Sequence, residues 1–395
     1  FRFSDKVKTI EEIIELGQAA LEKGNRSFVD HKIDMGKMSA LLFTSGTTGT
    51  AKGVMLSHKN LTAAANASVL SMSYDMNNTF VSILPPHHSY EITCGEMAIQ
   101  MLGAEILIND SLKHIMKNFA WYKPNALMLV PLIVETMHKK IWDEVKKRKM
   151  EKKLKFAMGL SNFLLFFGID KRQKLFAQVT GAFGGNLKSI VCGGAPLSPQ
   201  IIKDFYAFGI TVLEGYGITE CAPLVAVNSP GKVKFHSVGQ PVKGCRVRID
   251  KQDESDETGE ICVSGDNVMM GYFKDPEATK EAFTEDGWFR TGDIGYIDNE
   301  GYIFITGRKK NVIILSNGKN VFPEELEEHI APIPEILEAV VTVRETNGEP
   351  VLTAICVPNP DLVTETDDEK VYALMKSKIE EVNKTLPSYK KMLRV

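Results

Sequence analysis

ALLFTSGTTGTAKG, residues 40–53, sets an apolar run directly against threonines, a serine, three glycines and one lysine. The apolar part reads as a buried strand, and the remainder as a glycine loop at its carboxyl end. Glycine lets such a loop turn its backbone N–H groups inward, hydroxyls add donors, and one cation neutralises charge. Polyphosphate is the ligand this chemistry fits. The pattern is not the GxxxxGKS or GxxxxGKT phosphate loop. Counting from Gly46, Ala51 precedes Lys52 and Gly53 follows it, so the second glycine and the magnesium-binding hydroxyl are missing. An ordinary P-loop phosphotransferase is therefore disfavoured.

Outward from that loop the same theme repeats. FVSILPP (80–86), ALMLVP (126–131) and SIVCGGAPLS (189–198) each place an apolar run before Gly, Pro or Ser, with helical segments between them, including 58–72. The alternation predicts an α/β large domain of layered, mostly parallel sheets and helices, with ligands at the carboxyl ends of strands. Upstream, 5–24 predicts an amphipathic helix on Ile10, Ile13, Ile14, Leu16 and Leu21, stopped by Gly24. From about residue 232 the texture changes. SVGQPVKGCRVRID, GEICVSG and GYIFITGRKK read as short strands with glycine turns. PEELEEHI, AVVTVRE, VLTAICVPN and DDEKVYALMKSKIEEVNKTL then predict a small α+β domain whose last helix starts with acids that complement its dipole. The expected division is a partial large domain over 1–231, a β-rich subdomain over 232–309 and a mobile C-terminal α+β domain over 310–395.

The chain has 395 residues, 44% apolar and 25% charged, which suits a globular protein of two or three domain-sized units. A net charge of −3 advertises no nucleic-acid or anionic-membrane partner. Six scattered cysteines contain no CxxC pair, so reduced thiols in a cytoplasmic protein are expected. The longest greasy run, FLLFFGI (163–169), is far short of the ~20 residues that span a bilayer. KKIWDEVKKRKMEKKLK (139–155) reads either as a basic helix on a membrane surface, delivering a lipid substrate, or as a solvated face with Glu–Lys pairs. The chain opens on Phe1 and closes on KKMLRV, and both ends are expected to be cut.

LLFTSGTTGTAKGVMLSH (41–58) resembles the phosphate loop of the AMP-forming adenylating enzymes, the family of acyl-CoA synthetases, luciferases and peptide-synthetase adenylation domains. Four more stretches stand in that family's order: LPPHHSYE (84–91), YGITE (216–220), GWFRTGDIG (287–295) and GRKKNVIILSNGKNVFPEELE (307–327). The resemblance runs from about residue 40 to the end. It implies ATP, Mg²⁺ and CoA as cofactors and a fatty acid as the carboxylate. Thr44, Ser45, Gly46, Thr47, Thr48, Gly49 and Lys52 would hold the β- and γ-phosphates. Tyr216 would stack on adenine, Gly217 would allow close approach, Thr219 would donate to phosphate and Glu220 would hold Mg²⁺. Gly193, Gly194 and Ala195 would lie under the adenine and the acyl group. Asp293 would accept from both ribose hydroxyls, and Arg308 would contact ribose and reach toward phosphate. His88, in a His–x–x–Glu arrangement similar to long-chain acyl-CoA synthetases, would be a gate or positioning residue. No general base is needed, because a carboxylic acid is already ionised near pH 7. Lys310 would be the hinge of the small domain, and Gly318 would approach a pantetheine arm.

The match departs from the family in two places. Its C-terminal PKTxxGK motif does not occur, and Lys390 and Lys391 stand in another context. Only about 40 residues precede the phosphate loop, where the family has the equivalent of a further small domain. The expected function is a fatty acid–CoA ligase, with a different thiol acceptor or a non-catalytic nucleotide- or lipid-binding relative as alternatives.

Overall fold

The computed structural model describes residues 8–44, 51–253, 255–315, 320–346 and 349–395. It separates into two units, Phe1–Lys37 and Met38–Val395. In the first, the helix Ile10–Glu22 opens on a capping box. Thr9 Oγ1 accepts from the Glu12 N–H at 3.3 Å, and the Glu12 carboxylate accepts from the Thr9 N–H at 2.8 Å. Two otherwise unpaired donors are thereby satisfied.

In the second unit the strands, in chain order, are β1 (Met38–Thr44), β2 (Lys52–Ser57), β3 (Thr79–Ser82), β4 (Glu105–Ile108), β5 (Ala126–Leu129), β6 (Ser189–Gly193), β7 (Thr211–Gly217), β8 (Leu224–Val227) and β9 (Gln240–Pro241). There follow β10 (Cys245–Asp250), β11 (Gly259–Gly265), β12 (Gly271–Tyr272), β13 (Phe289–Ile297), β14 (Ile303–Arg308), β15 (Ile313–Ile314), β16 (Asn320–Val321), β17 (Ile336–Thr346) and β18 (Glu349–Pro358). Among the described residues the largest sheet has the order β4-β3-β5-β6-β7-β8-β9. Strands β3 to β7 run parallel, and β8 and β9 are antiparallel.

The central strands are mostly apolar because both faces are covered, and β5 is apolar at every position. Ala126, Met128, Val191 and Leu213 face one core cluster, with Val54, Leu56 and Ala64. Leu127, Leu129, Ile190, Cys192 and Val212 face the other, with Phe119, Phe205 and Phe208. The alternation along each strand is the period of two that a pleated backbone imposes.

Three elements differ from the sequence expectation. β1 is not a buried strand. It pairs antiparallel with β2 in a three-stranded sheet, β1-β2-β12, and Phe43 is 66% exposed. The central strand of that sheet, β2, takes the burial, with Val54 and Leu56 fully enclosed. The change of texture near 232 also precedes the change of sheet. Gln240 and Pro241 still belong to the seven-stranded sheet, and the antiparallel sheet β10-β11-β13-β14 starts only at Cys245. Finally, the basic run 139–155 is not one helix. The helix Pro131–Lys147 ends, Lys149 takes a left-handed conformation at φ 55°, and a second helix runs over Glu151–Phe166.

At the C-terminal end, β17 and β18 pair antiparallel. With the helices Pro323–Ile330 and Asp368–Asn383 they enclose a separate cluster around Leu326, Ile330, Val341, Met375 and Ile379. Asp367 caps the second helix by accepting from the Glu369 and Lys370 N–H groups. Among the described residues, no helix is long and apolar enough to cross a membrane.

Candidate nucleotide site

The parallel strands β3, β6 and β7 deliver LPPHHSYE, GGAPLS and YGITE to one edge of the sheet, at its carboxyl end. Two glycines there are required by space and conformation. Gly194 has φ +94°, and a Cβ on Gly217 would lie 2.3 Å from the Pro223 carbonyl oxygen. Gly193 stands beside Gly215 in the β6–β7 register, and Ala195 follows on the exposed loop.

Three motifs meet at Asp293. It lies opposite Arg308 in the β13–β14 register, and the Arg308 Nε sits 2.8 Å from its Oδ1. The Tyr216 hydroxyl donates to its Oδ2 at 2.5 Å. Asp293 is 3% exposed, and burial pushes its carboxyl up while the Arg308 guanidinium opposes the rise. Two of its roughly four acceptor positions are used by these partners. The Tyr216 ring is buried, and burial raises its hydroxyl well above the usual range.

A second constellation lies at the other end of the same loop. Tyr272, on β12, donates its hydroxyl to Glu220 Oε1 at 2.9 Å, and the Lys52 ammonium sits 4.9 Å from the centre of its ring. β12 pairs with β2 two positions from Lys52, with Tyr272 opposite Val54. Pairing of the two strands therefore fixes the lysine over the ring, a favourable cation–π arrangement. Thr44 faces Lys52 across the β1–β2 ladder. Ser45, Gly46, Thr47, Thr48 and Gly49 lie outside the described residues, as does Gly318. Thr219 is joined to the LPPHHSYE segment, its hydroxyl 3.3 Å from that of Ser89.

His88 is exposed, and its Nδ1 accepts from the Tyr90 N–H at 3.2 Å. Desolvation, helped by His87, lowers its pKa, which favours the neutral ring near pH 7. Behind it the chain forms a π-helical turn, Glu91–Met97. Glu91 is 1% exposed, accepts from Ser82 Oγ at 2.5 Å and leaves its Oε2 without a partner. Burial raises its carboxyl from 4.5 to about 7. The folded chain therefore holds this proton more tightly than the unfolded chain. The corresponding stability is present below the ordinary value and is lost as pH rises through about 7. Glu91→Gln is expected to flatten the fall in melting temperature between about pH 5 and about pH 8. Glu214, raised to about 7 by its own burial, leaves a residual slope. An unchanged profile in thermal melts of Glu91→Gln would remove Glu91 as its source.

The approach to the small domain is tied on both sides. Glu260, 6% exposed, accepts from Arg290 at 3.1 Å and Lys309 at 2.8 Å. Asn311 Nδ2 donates to Glu324 Oε1 at 2.5 Å. Lys310, between them, is exposed.

Of the residues expected from sequence, Tyr216, Asp293 and Arg308 are in direct contact. Lys52 and Glu220 meet through Tyr272, and Thr219 meets the segment that carries His88 through Ser89. Tyr272, Ser89 and Glu260 were not expected. Nothing in the local pattern around Gly271–Tyr272 singles out that tyrosine before β12 is paired with β2.

A family model described as AMP-binding enzyme matches residues 4–273, and one described as AMP-binding enzyme C-terminal domain matches 310–395. Fatty acyl-CoA synthetase A of Dictyostelium discoideum is 30% identical over 98% of this chain and 61% of its own length. The chloroplastic long-chain-fatty-acid acyl-carrier-protein ligase AEE15 of Arabidopsis thaliana is 30% identical over 94% of this chain and 58% of its own. Mouse (Mus musculus) long-chain-fatty-acid CoA ligase 5 is 32% identical, over 82% and 49%. The chain thus spans about half to six-tenths of the length of these relatives. Among solved structures, the ATP-bound RpMatB-BxBclM chimera superposes with a TM-score of 0.71 at 25% identity, over 92% of this chain and 65% of that one.

Proposed function

Because the chain belongs to the AMP-binding enzyme family, we propose that it carries the nucleotide site and hinge of an AMP-forming ligase joining a medium- or long-chain fatty acid to a thiol. The observation that carries this reading is the segment 216–220. Its first residue is bound to Asp293, and its last to Tyr272 beneath Lys52. One strand end thus presents a group suited to ribose and a group suited to phosphate four residues apart. The relatives extend the reading to fatty acids, with CoA as the acceptor and an acyl-carrier protein as the alternative.

On this reading a carboxylate oxygen of the fatty acid attacks the α-phosphorus of ATP. Pyrophosphate leaves and acyl-AMP forms. The thiol sulfur of CoA then attacks the acyl carbon, the thiol loses its proton, and AMP departs with the bonding pair. Asp293 would take the ribose hydroxyls on its remaining lone pairs, beside Arg308. Gly193, Gly194, Ala195 and Gly217 would let the nucleotide approach the backbone. Tyr216 would hold Asp293 through its hydroxyl while its ring borders adenine. Lys52, Thr44 and Thr219 would contact phosphate oxygens, continuing the loop of Ser45–Gly49.

Glu220 fits Mg²⁺, a hard cation that takes one or two carboxylates together with substrate phosphates. Its Oε1 is held by Tyr272, and its Oε2 has no hydrogen-bond partner among the described residues. When bound, the ion would neutralise charge on the phosphates. His88 would position the substrate carboxylate as a neutral ring. Lys310 would be the hinge, and Gly318 would border pantetheine. Free thiols at all six cysteines suit a cytoplasmic setting. A membrane contact is a separate proposal, resting on the surface around residues 139–169.

The test is fatty-acid-dependent exchange between ATP and labelled pyrophosphate in the full-length protein, across acyl lengths, followed by CoA and a phosphopantetheine-loaded carrier protein as acceptors. Exchange with long acids is the expected result. Mg·ATP binding without exchange for any acid would leave a nucleotide-binding relative without ligase chemistry.

A further inference from the structure

The helix Glu151–Phe166 is apolar on two faces. Leu154, Ala157 and Met158 pack into the cluster that holds Phe205 and Phe208, and Ser161 Oγ donates to the Ala207 carbonyl at 3.3 Å. That is the inner face. The opposite stripe should be polar. It reads instead Phe156, Leu160, Phe163 and, just past the helix end, Phe167, at helical spacing and 73%, 38%, 61% and 60% exposed. Phe163 and Phe166 each meet the Phe167 ring edge-on, with centroids 5.1 and 5.3 Å away. An exposed aromatic patch of this kind marks an interaction surface.

Charge identifies the cover. Residues 139–155 hold nine Lys and Arg against three Asp and Glu in a chain whose net charge is −3, so cationic charge is concentrated here. Lys149, Lys152 and Lys153 are exposed, and among the described residues none has a carboxylate within ion-pair distance. Lys152 stands one turn before Phe156 on the same stripe. Rings continuous with unpaired ammonium groups match the boundary between acyl chains and anionic headgroups. The stripe is the convex outside of a helix, and a deformable lipid surface follows it without a matching groove.

We propose that the outer face of the helix Glu151–Phe166, with Lys149, Lys152 and Lys153 beside it, seats the protein on an anionic lipid surface. Nothing in this depends on the ligase reading, since none of these residues belongs to the nucleotide site. The test is co-sedimentation of the full-length protein with phosphatidylcholine vesicles and with vesicles that also contain phosphatidylglycerol. Binding to the anionic vesicles, weakened by salt, is expected. The double variant Phe163→Ser, Phe167→Ser is expected to lower partitioning by roughly 10–100-fold. The triple variant Lys149→Gln, Lys152→Gln, Lys153→Gln should lower it by roughly 10–100-fold as well. Thermal melts of both should match the parent, because every altered side chain is exposed. Equal binding to neutral and anionic vesicles, or unweakened binding by both variants, overturns the proposal. So does a parent dimer that the phenylalanine variant makes monomeric without any vesicle binding, which would assign the face to a second copy.

Discussion

Glu220→Gln is expected to lower fatty-acid-dependent pyrophosphate exchange by about 10²–10³-fold, the usual cost of deleting one group aimed at transition-state charge. Glutamine keeps the size of the side chain and an acceptor for the Tyr272 hydroxyl, so the local packing survives. What it removes is the negative charge, and a hard divalent cation binds a neutral amide oxygen poorly. The free Mg²⁺ required for half-maximal exchange should rise, and Mn²⁺ binding followed by its electron paramagnetic resonance signal should weaken in parallel. Tyr272→Phe is the companion. It keeps the ring beneath Lys52 and deletes only the donor to Glu220. Its loss should be nearer tenfold, the cost of one hydrogen bond to a charged group, and should again appear in the Mg²⁺ demand. Exchange at the parent rate in Glu220→Gln would sink the metal assignment, and a Tyr272→Phe loss that ignores Mg²⁺ would make the tyrosine a packing residue only.

Asp293→Ala should cost both binding and stability. Alanine leaves the Tyr216 hydroxyl buried without its acceptor, worth about 1–3 kcal/mol. It also frees Arg308, whose side chain is 45% exposed and can turn to solvent, so the ion pair adds less than a fully buried one would. Calorimetric titration should show ATP affinity falling by at least about tenfold, since the ribose hydroxyls lose a charged acceptor. Asp293→Asn separates the two effects. It retains an acceptor for Tyr216, so most of the stability should return while the affinity stays low. If stability falls and ATP affinity does not move in either variant, the Tyr216–Asp293–Arg308 group is structural and the ribose lies elsewhere.

The strands that end at the site were legible where their burial on two faces writes itself as largely apolar runs, as in FVSIL and SIVC, and the loops because Gly, Pro and Ser follow those runs. Contacts between distant segments were not. Tyr272 and Glu220 are 52 positions apart, and Ser89 and Thr219 are 130 apart. No local periodicity relates such pairs; only the pairing of β12 with β2, and of the parallel strands, brings them together. The same limit misled the reading of ALLF. Apolarity says that a strand forms, but whether it lies at the middle or the edge of its sheet depends on partners, and here β2 holds the middle. The break at Lys149 carries neither glycine nor proline, so the basic run looked continuous. Glu91 lay in a quoted motif, yet its burial depends on the π-helical turn that folds it beneath Ser82.

The ties on either side of Lys310 have a mechanical consequence. Lys309 is fastened backward to Glu260 and Asn311 forward to Glu324, so the free backbone between the two fastenings is a single residue. A residue has two soft dihedrals. If the C-terminal part turns as a rigid body while both ties hold, those two angles set its axis and its arc, and the segment behaves as a crank rather than a tether. At such a position the side chain matters less than torsional freedom. Alanine would leave the crank working, whereas proline would lock one of its two angles.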